Sequence, residues 1–430
     1  MKIVLINLIL INFSLRLILT KITIFFIEIT LTLLLFTVKM TKRLKGPPVF
    51  VAIIFLFLII VIYTSQSNER TRIKMPQIET RRSFVSSPSE VRTNNTEPRL
   101  NVILLTFMSS GSTVVGNMLN LHPDVFYIYE PLHGLRRNVY GNEWRVLDKS
   151  KNDAFRKDFS TLLNDLFTCG FQKKRTIELV FPRWVRSHNQ WYKKSTPLTK
   201  ESLRKACKAR KLTVTKIMQT RLPREIGIRE VERVCRSDPS KFDCLIVHLV
   251  RDPRAVLSSL IKRHFIGKTA RSLSPQGIGN LENNAHLLCS LISENLDHVN
   301  KEWSNWFNSR YILVRYEDVI SNMSRAVYDM YKSIGLPMVE TIVHWINGVP
   351  PPGRSHSRGM VVSNADGTTI DQWRFRENSS RVYLFEEACG PLMEAMGYVF
   401  INGSKNLQHN NSKSLRTPYV PFLRDLHRKP

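Results

Sequence analysis

Residues 249–259 read Leu-Val-Arg-Asp-Pro-Arg-Ala-Val-Leu-Ser-Ser and carry an arginine and a hydroxyl spaced for one anion. The apolar run 244–250 before them has the look of a buried parallel strand. Pro253 suits the first turn of a helix, where a missing N–H costs nothing. Arg251 then falls at a strand's carboxyl end and Ser259 about two turns into the following helix. Ligands of open α/β sheets bind in that crevice. A guanidinium fork and a hydroxyl together suit a phosphate. The plain alternative is a helix start with Arg254 and Ser259 merely exposed.

A second candidate lies upstream. The apolar run 101–107 leads into Met108, Ser109, Ser110, Gly111, Ser112 and Thr113, and a helical pattern follows with Val114, Val115, Met118 and Leu119 on one face. Strand, Gly/Ser loop and helix aim backbone N–H groups and a helix N-terminus at an anion. Gly111 permits close backbone approach, and Ser112 and Thr113 add hydroxyls. Gly111 and Gly116 have the spacing of a Walker loop, but Asn117 and Met118 stand where that loop needs Lys and Ser/Thr. Magnesium-dependent ATP or GTP hydrolysis is therefore not expected. No Cys/His cluster has ligand spacing, so no metal is expected either.

These residues need a frame. Runs 125–129, 212–218 and 311–316 read as further strands, while 281–306 and 325–334 have helical periodicity, stopped at 335–337 by Gly-Leu-Pro. Alternating strands and helices predict an α/β domain with a central parallel sheet and right-handed crossovers. Two anion sites on neighbouring strand ends suit a nucleotide with two separated anionic groups.

At this point the chain resembles the Golgi carbohydrate sulfotransferases that act on the 6-hydroxyl of galactose, N-acetylgalactosamine or N-acetylglucosamine. The resemblance rests on 109–113, on His248 to Val256, and on the runs 124–133, 216–221, 314–318, 373–374 and 397–398, in family order. It implies a P-loop-like three-layer sulfotransferase fold over 99–403. It implies that Ser109, Ser110, Gly111, Ser112 and Thr113 hold the 5′-phosphosulfate of 3′-phosphoadenosine-5′-phosphosulfate (PAPS). Arg251 and Ser259 would hold the 3′-phosphate, and Arg254 is counted with them. One departure stands out: the family's loop has arginine where this chain has Ser109. Losing such a donor costs about 10²–10³ in rate. Lys216, Arg221 or Arg136 substitutes, or the enzyme is slow, or the protein binds nucleotide without turnover.

The implied reaction is in-line attack of a sugar hydroxyl on sulfur, which benefits from a base. Glu130, at the end of the second strand, is the first candidate; the alternative is a carboxylate paired with Arg136 or Arg137, or one capping a turn before Pro131. His133 and His122 follow as candidates. Lys216 completes the catalytic set. Besides a glycan-directed enzyme, two readings stay open: a weak or inactive PAPS- or glycan-binding relative, and a sulfotransferase for a non-glycan acceptor.

Net charge is +28, from 63 Lys/Arg and 35 Asp/Glu, which favours polyanions. Residues 173–211 hold thirteen Lys/Arg against Glu178 and Glu201, with Trp184, Trp191 and Tyr192 interleaved. That segment is either an acceptor groove or a solvated face with core-filling aromatics. No nucleic-acid motif is found, and a glycan or glycosaminoglycan is the expected partner. Residues 47–64 read as a single N-terminal membrane anchor after a basic tail, 40–46, followed by a polar stem, 65–98. This predicts a single-pass type II protein of the Golgi membrane with a lumenal catalytic domain. Translation is expected to begin at Met40, with 1–39 an extension; the alternative is a second membrane segment at 22–38. Sequons at Asn94, Asn322, Asn378, Asn402 and Asn410 and six cysteines fit a lumenal, oxidising setting. Cys235 and Cys244 flank a turn and could pair. Residues 346–371 read as a mobile loop in which Arg354 and Arg358, with Arg374 after it, could reach nucleotide or acceptor. The tail 404–430 reads as disordered.

Overall fold

The computed structural model describes residues 98–140, 148–172, 177–178, 180–182, 188–192, 197–223, 226–266, 275–347, 370–418 and 420–423. The expected extension, cytosolic tail, anchor and all but the last residue of the stem lie outside them, as do 348–369 of the expected mobile loop. Among the described residues no helix is long and apolar enough to cross a membrane.

The described strands are β1 (Arg99–Thr106), β2 (Val125–Ile128), β3 (Leu212–Met218), β4 (Phe242–Val250) and β5 (Tyr311–Arg315), all parallel, in the order β2-β3-β1-β4-β5. Their side chains alternate between two cores, as a period of two requires. Val102 and Leu104 join Val115, Met118 and Leu119 of α1 (Ser112–Asn120) and Val327 and Met330 of the helix Met323–Ser333. Ile103 and Leu105 face the other way, onto Phe155 and Phe159 of the helix Lys149–Phe167 and Leu288 and Ile292 of the helix Pro275–Lys301. Both faces are covered, so the strands are continuous apolar runs and the domain has the expected three layers.

Register decides where the site can be. Thr106 is level with Met218 on one side and Leu249 on the other, so β1, β3 and β4 end together. Their three following segments, 107–111, 219–221 and 251–252, therefore meet at one edge.

Residues 404–418, expected to be disordered, follow a defined path in which Lys405–His409 is helical and Gln408 and Leu415 are buried, while most of the rest is exposed. Arg374 explains why: its Nε donates to Gln408 O at 2.7 Å, Nη2 to Asn410 O at 2.6 Å and Leu407 O at 3.2 Å, and Nη1 to Lys413 O at 3.2 Å. Polar composition signals disorder only where the backbone has no better partner than water, and one guanidinium fork supplies that partner here. The same bonds keep Arg374, itself buried, from reaching a nucleotide or acceptor. The aromatic–basic segment also resolves in part: the Trp191 ring packs 4.7 Å from that of Phe126 and donates to Tyr127 O, so it fills core. Cys235 and Cys244 pair as expected, and the other two bridges are Cys169–Cys207 and Cys289–Cys389, so no thiol is left free.

Arg374→Met is expected to release the 404–413 segment, since each lost charge-assisted bond is worth about 1.5–3 kcal/mol. Trypsin cleavage at Lys405 and Lys413 should then accelerate at least about tenfold while the domain stays folded. Unchanged cleavage kinetics in limited proteolysis would refute the anchoring role.

Candidate active site

Beyond Thr106 the chain reaches Ser109 at φ 62 and Gly111 at φ 82, both left-handed. Gly111 caps α1, its carbonyl accepting from Val114 N at 3.0 Å and Val115 N at 3.3 Å. The Oγ atoms of Ser109 and Ser110 are buried and make no hydrogen bond. A buried hydroxyl left so costs about 1–3 kcal/mol. Two in succession, beside a helix N-terminus whose first N–H groups lack intrahelical acceptors, fit an anion that supplies the missing partners. The loop therefore suits a phosphate or sulfate ester.

Arg251 joins this loop directly. Its Nη1 donates to Ser109 O at 3.0 Å, and its guanidinium lies 4.8 Å from the centre of the Tyr316 ring. Asp252 caps α6 (Pro253–Lys262) through Arg254 N at 2.9 Å, and its own N–H donates to Glu317 Oε1 at 3.0 Å. Glu317 also accepts from Tyr398 Oη at 2.9 Å, and burial, reinforced by Asp252, raises its carboxyl above the ordinary value. Ser259 is half-buried on α6, two turns in as expected.

Arg254 is a correction. It is fully buried, bonded to Asp252 through Nε and Nη2, to Glu386 at 2.7 Å and Val399 O at 2.9 Å through Nη1, and stacked on Trp373 at 4.4 Å. Every donor group of its fork is engaged inside the domain, so it ties α6 to the C-terminal helices and does not bind cofactor.

The third cluster centres on Glu130, at φ 47 just past β2. Lys216 Nζ, on β3, stands 3.0 Å from Oε1, and Arg221 Nη1 bonds Oε2. Neither Arg136, which donates to Tyr140 O, nor Arg137 is the partner. Burial alone would raise the Glu130 carboxyl, but Lys216 and Arg221 together outweigh it and hold it at about 2. Burial lowers the Lys216 ammonium from its usual value, with Arg221 adding to that and Glu130 opposing it. The Lys216 ammonium also sits 4.3 Å from the centre of the Tyr129 ring, whose hydroxyl is pushed up by burial and by Glu130 and eased down by Thr113 of the first turn of α1. Two cations thus meet on one buried carboxylate.

The remaining candidates separate. His133 is half-buried at the start of the helix Leu132–Val139, its N–H donating to Glu130 O at 3.1 Å, so it belongs to this neighbourhood. His122 does not: it follows the C-terminus of α1, where it contacts Pro337 O and accepts from Asp124 N. Arg221, expected only as a stand-in for the loop arginine, is a partner of Glu130, and Tyr129 and Tyr316 are site residues to which the sequence motifs assign no role. The five-residue interval from Lys216 to Arg221, straddling a strand end, was the available signal for the first.

Comparison with known proteins agrees with this geometry. Residues 243–340, which carry Arg251 and Tyr316, match the model of the sulfotransferase family. The chain is 24% identical over 375 residues to mouse carbohydrate sulfotransferase 3, covering 79% of this chain and 76% of that one. Human carbohydrate sulfotransferase 3 is 26% identical over 347 residues, 74% and 71% of the two chains, and mouse carbohydrate sulfotransferase 1 is 24% identical over 373 residues, 76% and 87%. A solved sulfotransferase domain from the olefin synthase of Synechococcus covers 70% of this chain and 98% of its own at 15% identity, with a TM-score of 0.38. The chain thus carries a sulfotransferase-family match over residues 243–340 and is similar, along about three quarters of its length, to carbohydrate sulfotransferases.

Two predictions follow from the charges. Arg254→Met strands Asp252 and Glu386 and should cost about 3–5 kcal/mol in urea unfolding, with nucleotide affinity of the folded fraction unchanged; Arg251→Ala should instead weaken retention on immobilised adenosine 3′,5′-bisphosphate. Equal retention by the Arg251 variant and the parent would remove Arg251 from the site. Glu130→Gln leaves Lys216 and Arg221 buried without their carboxylate and should also cost about 3–5 kcal/mol near neutral pH. Because folding depresses this carboxyl from its ordinary 4.5 to about 2, the gap between parent and variant should be full above the first value and vanish as pH falls towards the second. Unfolding curves taken across that window check the sign.

Proposed function

We propose that this protein transfers a sulfonate group from PAPS to the 6-hydroxyl of a galactose, N-acetylgalactosamine or N-acetylglucosamine residue in a glycan or glycosaminoglycan. One observation carries the reading: the buried cations Lys216 and Arg221 are gathered on Glu130, with Lys216 4.3 Å from the centre of the Tyr129 ring, whose hydroxyl senses Thr113 of the loop. They bring cationic side chains to a loop where Ser109 supplies none. Preorganised charge aimed at a transferring group is usually the largest single catalytic contribution.

Each residue then has a role. The loop N–H groups and hydroxyls of Ser109 to Thr113 would hold the 5′-phosphosulfate, and Arg251 with Ser259 the 3′-phosphate. The donor, when bound, offers an activated sulfonate with a phosphate leaving group. Glu130, kept ionised, first serves to hold the two cations. Its carboxylate becomes a stronger proton acceptor as those cations turn towards an anion. His133, whose backbone N–H donates to Glu130 O at 3.1 Å, is the second candidate base.

Ser109 favours a second reading, a relative that binds the nucleotide with little turnover. The Golgi membrane, with a lumenal catalytic domain, is the setting we read for either case. Support comes from three disulfides and from sequon residues Asn322, Asn378, Asn402 and Asn410, all exposed.

The full chain, in membranes, should transfer radiolabelled sulfate from PAPS to at least one acceptor among chondroitin, keratan and N-acetylglucosamine-terminated glycans. Lys216→Met should lower that rate by about 10²–10³. Transfer by Ser109→Arg but not by the parent would select the second reading. Transfer by neither would overturn the carbohydrate acceptor.

A further inference from the structure

Tyr316 closes a triangle that neither anion motif contains by itself. It begins the short helix Tyr316–Ser321 just past β5, the strand beside β4, which in turn lies beside β1. Its ring therefore reaches across two strand spacings, about 9–10 Å, from the end of β5 to the loop after β1. There it occupies the space that any side chain at position 111 would need, since a Cβ on Gly111 would overlap the ring edge. On the way it passes beneath the Arg251 guanidinium, 4.8 Å from the ring centre. The Arg251 Nη1 bond to Ser109 O, 3.0 Å, is the third side.

We propose that Tyr316 is a positioning residue that sets the spacing between the two anion half-sites, the Gly111 loop and Arg251. This rests on the PAPS reading above. Three contacts among loop, ring and guanidinium leave neither half-site able to shift without the other. A ring is suited to the task because it offers Arg251 a flat face and Gly111 a rigid edge. A Tyr that merely filled the core, at 6% exposure, would have no reason to discriminate between ligands with one anion and ligands with two.

The test compares adenosine 3′,5′-bisphosphate, which spans both half-sites, with adenosine 5′-monophosphate, which spans one, by calorimetry on the full chain in detergent. The parent should prefer the bisphosphate by at least about tenfold. Tyr316→Leu should reduce that preference about tenfold with monophosphate affinity unchanged, and Tyr316→Phe should keep it. Should the leucine variant fail to fold, Tyr316→Met fills similar volume without a planar face and should show the same loss. An unchanged preference in the folded variant, or equal weakening of both ligands, overturns the proposal. A parent that shows no preference at all overturns the two-anion donor reading itself, a result distinct from either.

Discussion

One carboxylate between two cations, sealed at the edge of a parallel sheet, is the constraint around which the site is organised. Lys216 and Glu130 are almost wholly buried and Arg221 nearly so. Removing such charges from water costs several kcal/mol per ion, which a pair recovers only with good geometry and further hydrogen bonds. Here the geometry comes from strand register. Lys216 is carried on β3 between β1 and β2, while Glu130 stands two residues past the end of β2, where a left-handed turn aims it back.

The surrounding motifs divide into those that face the ligand and those that hold the frame. Glu317 spans Asp252 N and Tyr398 Oη, and Arg315 is bidentate to Asp318 while donating to Met396 O. These buried polar bonds link β4, β5 and the C-terminal helix, so that the segment bearing Arg251 leaves its strand in one direction only.

Much of this was legible in the sequence because it depends on local pattern. Apolar runs marked all five described strands, and the Gly/Ser loop and the Asp-Pro helix start marked the two sites. What escaped is non-local. Arg251 and Arg254 flank the same Pro253 and look equivalent in sequence; only the fold brings Glu386, 132 residues away, to the second of them. Glu130 was weighed against its near neighbours Arg136 and Arg137, whereas Arg221, one of its actual partners, is 91 residues distant. The tail misled for a related reason. Its composition is polar, and the guanidinium that orders it belongs to another segment.

The bond from Arg251 ends on a main-chain carbonyl, so the loop's brace does not run through the Ser109 side chain, whose Oγ takes no part in it. Architecture at this position resides in the main chain. A substitution at 109 that tolerates the left-handed backbone there can therefore change what the loop presents while its attachment to Arg251 stays.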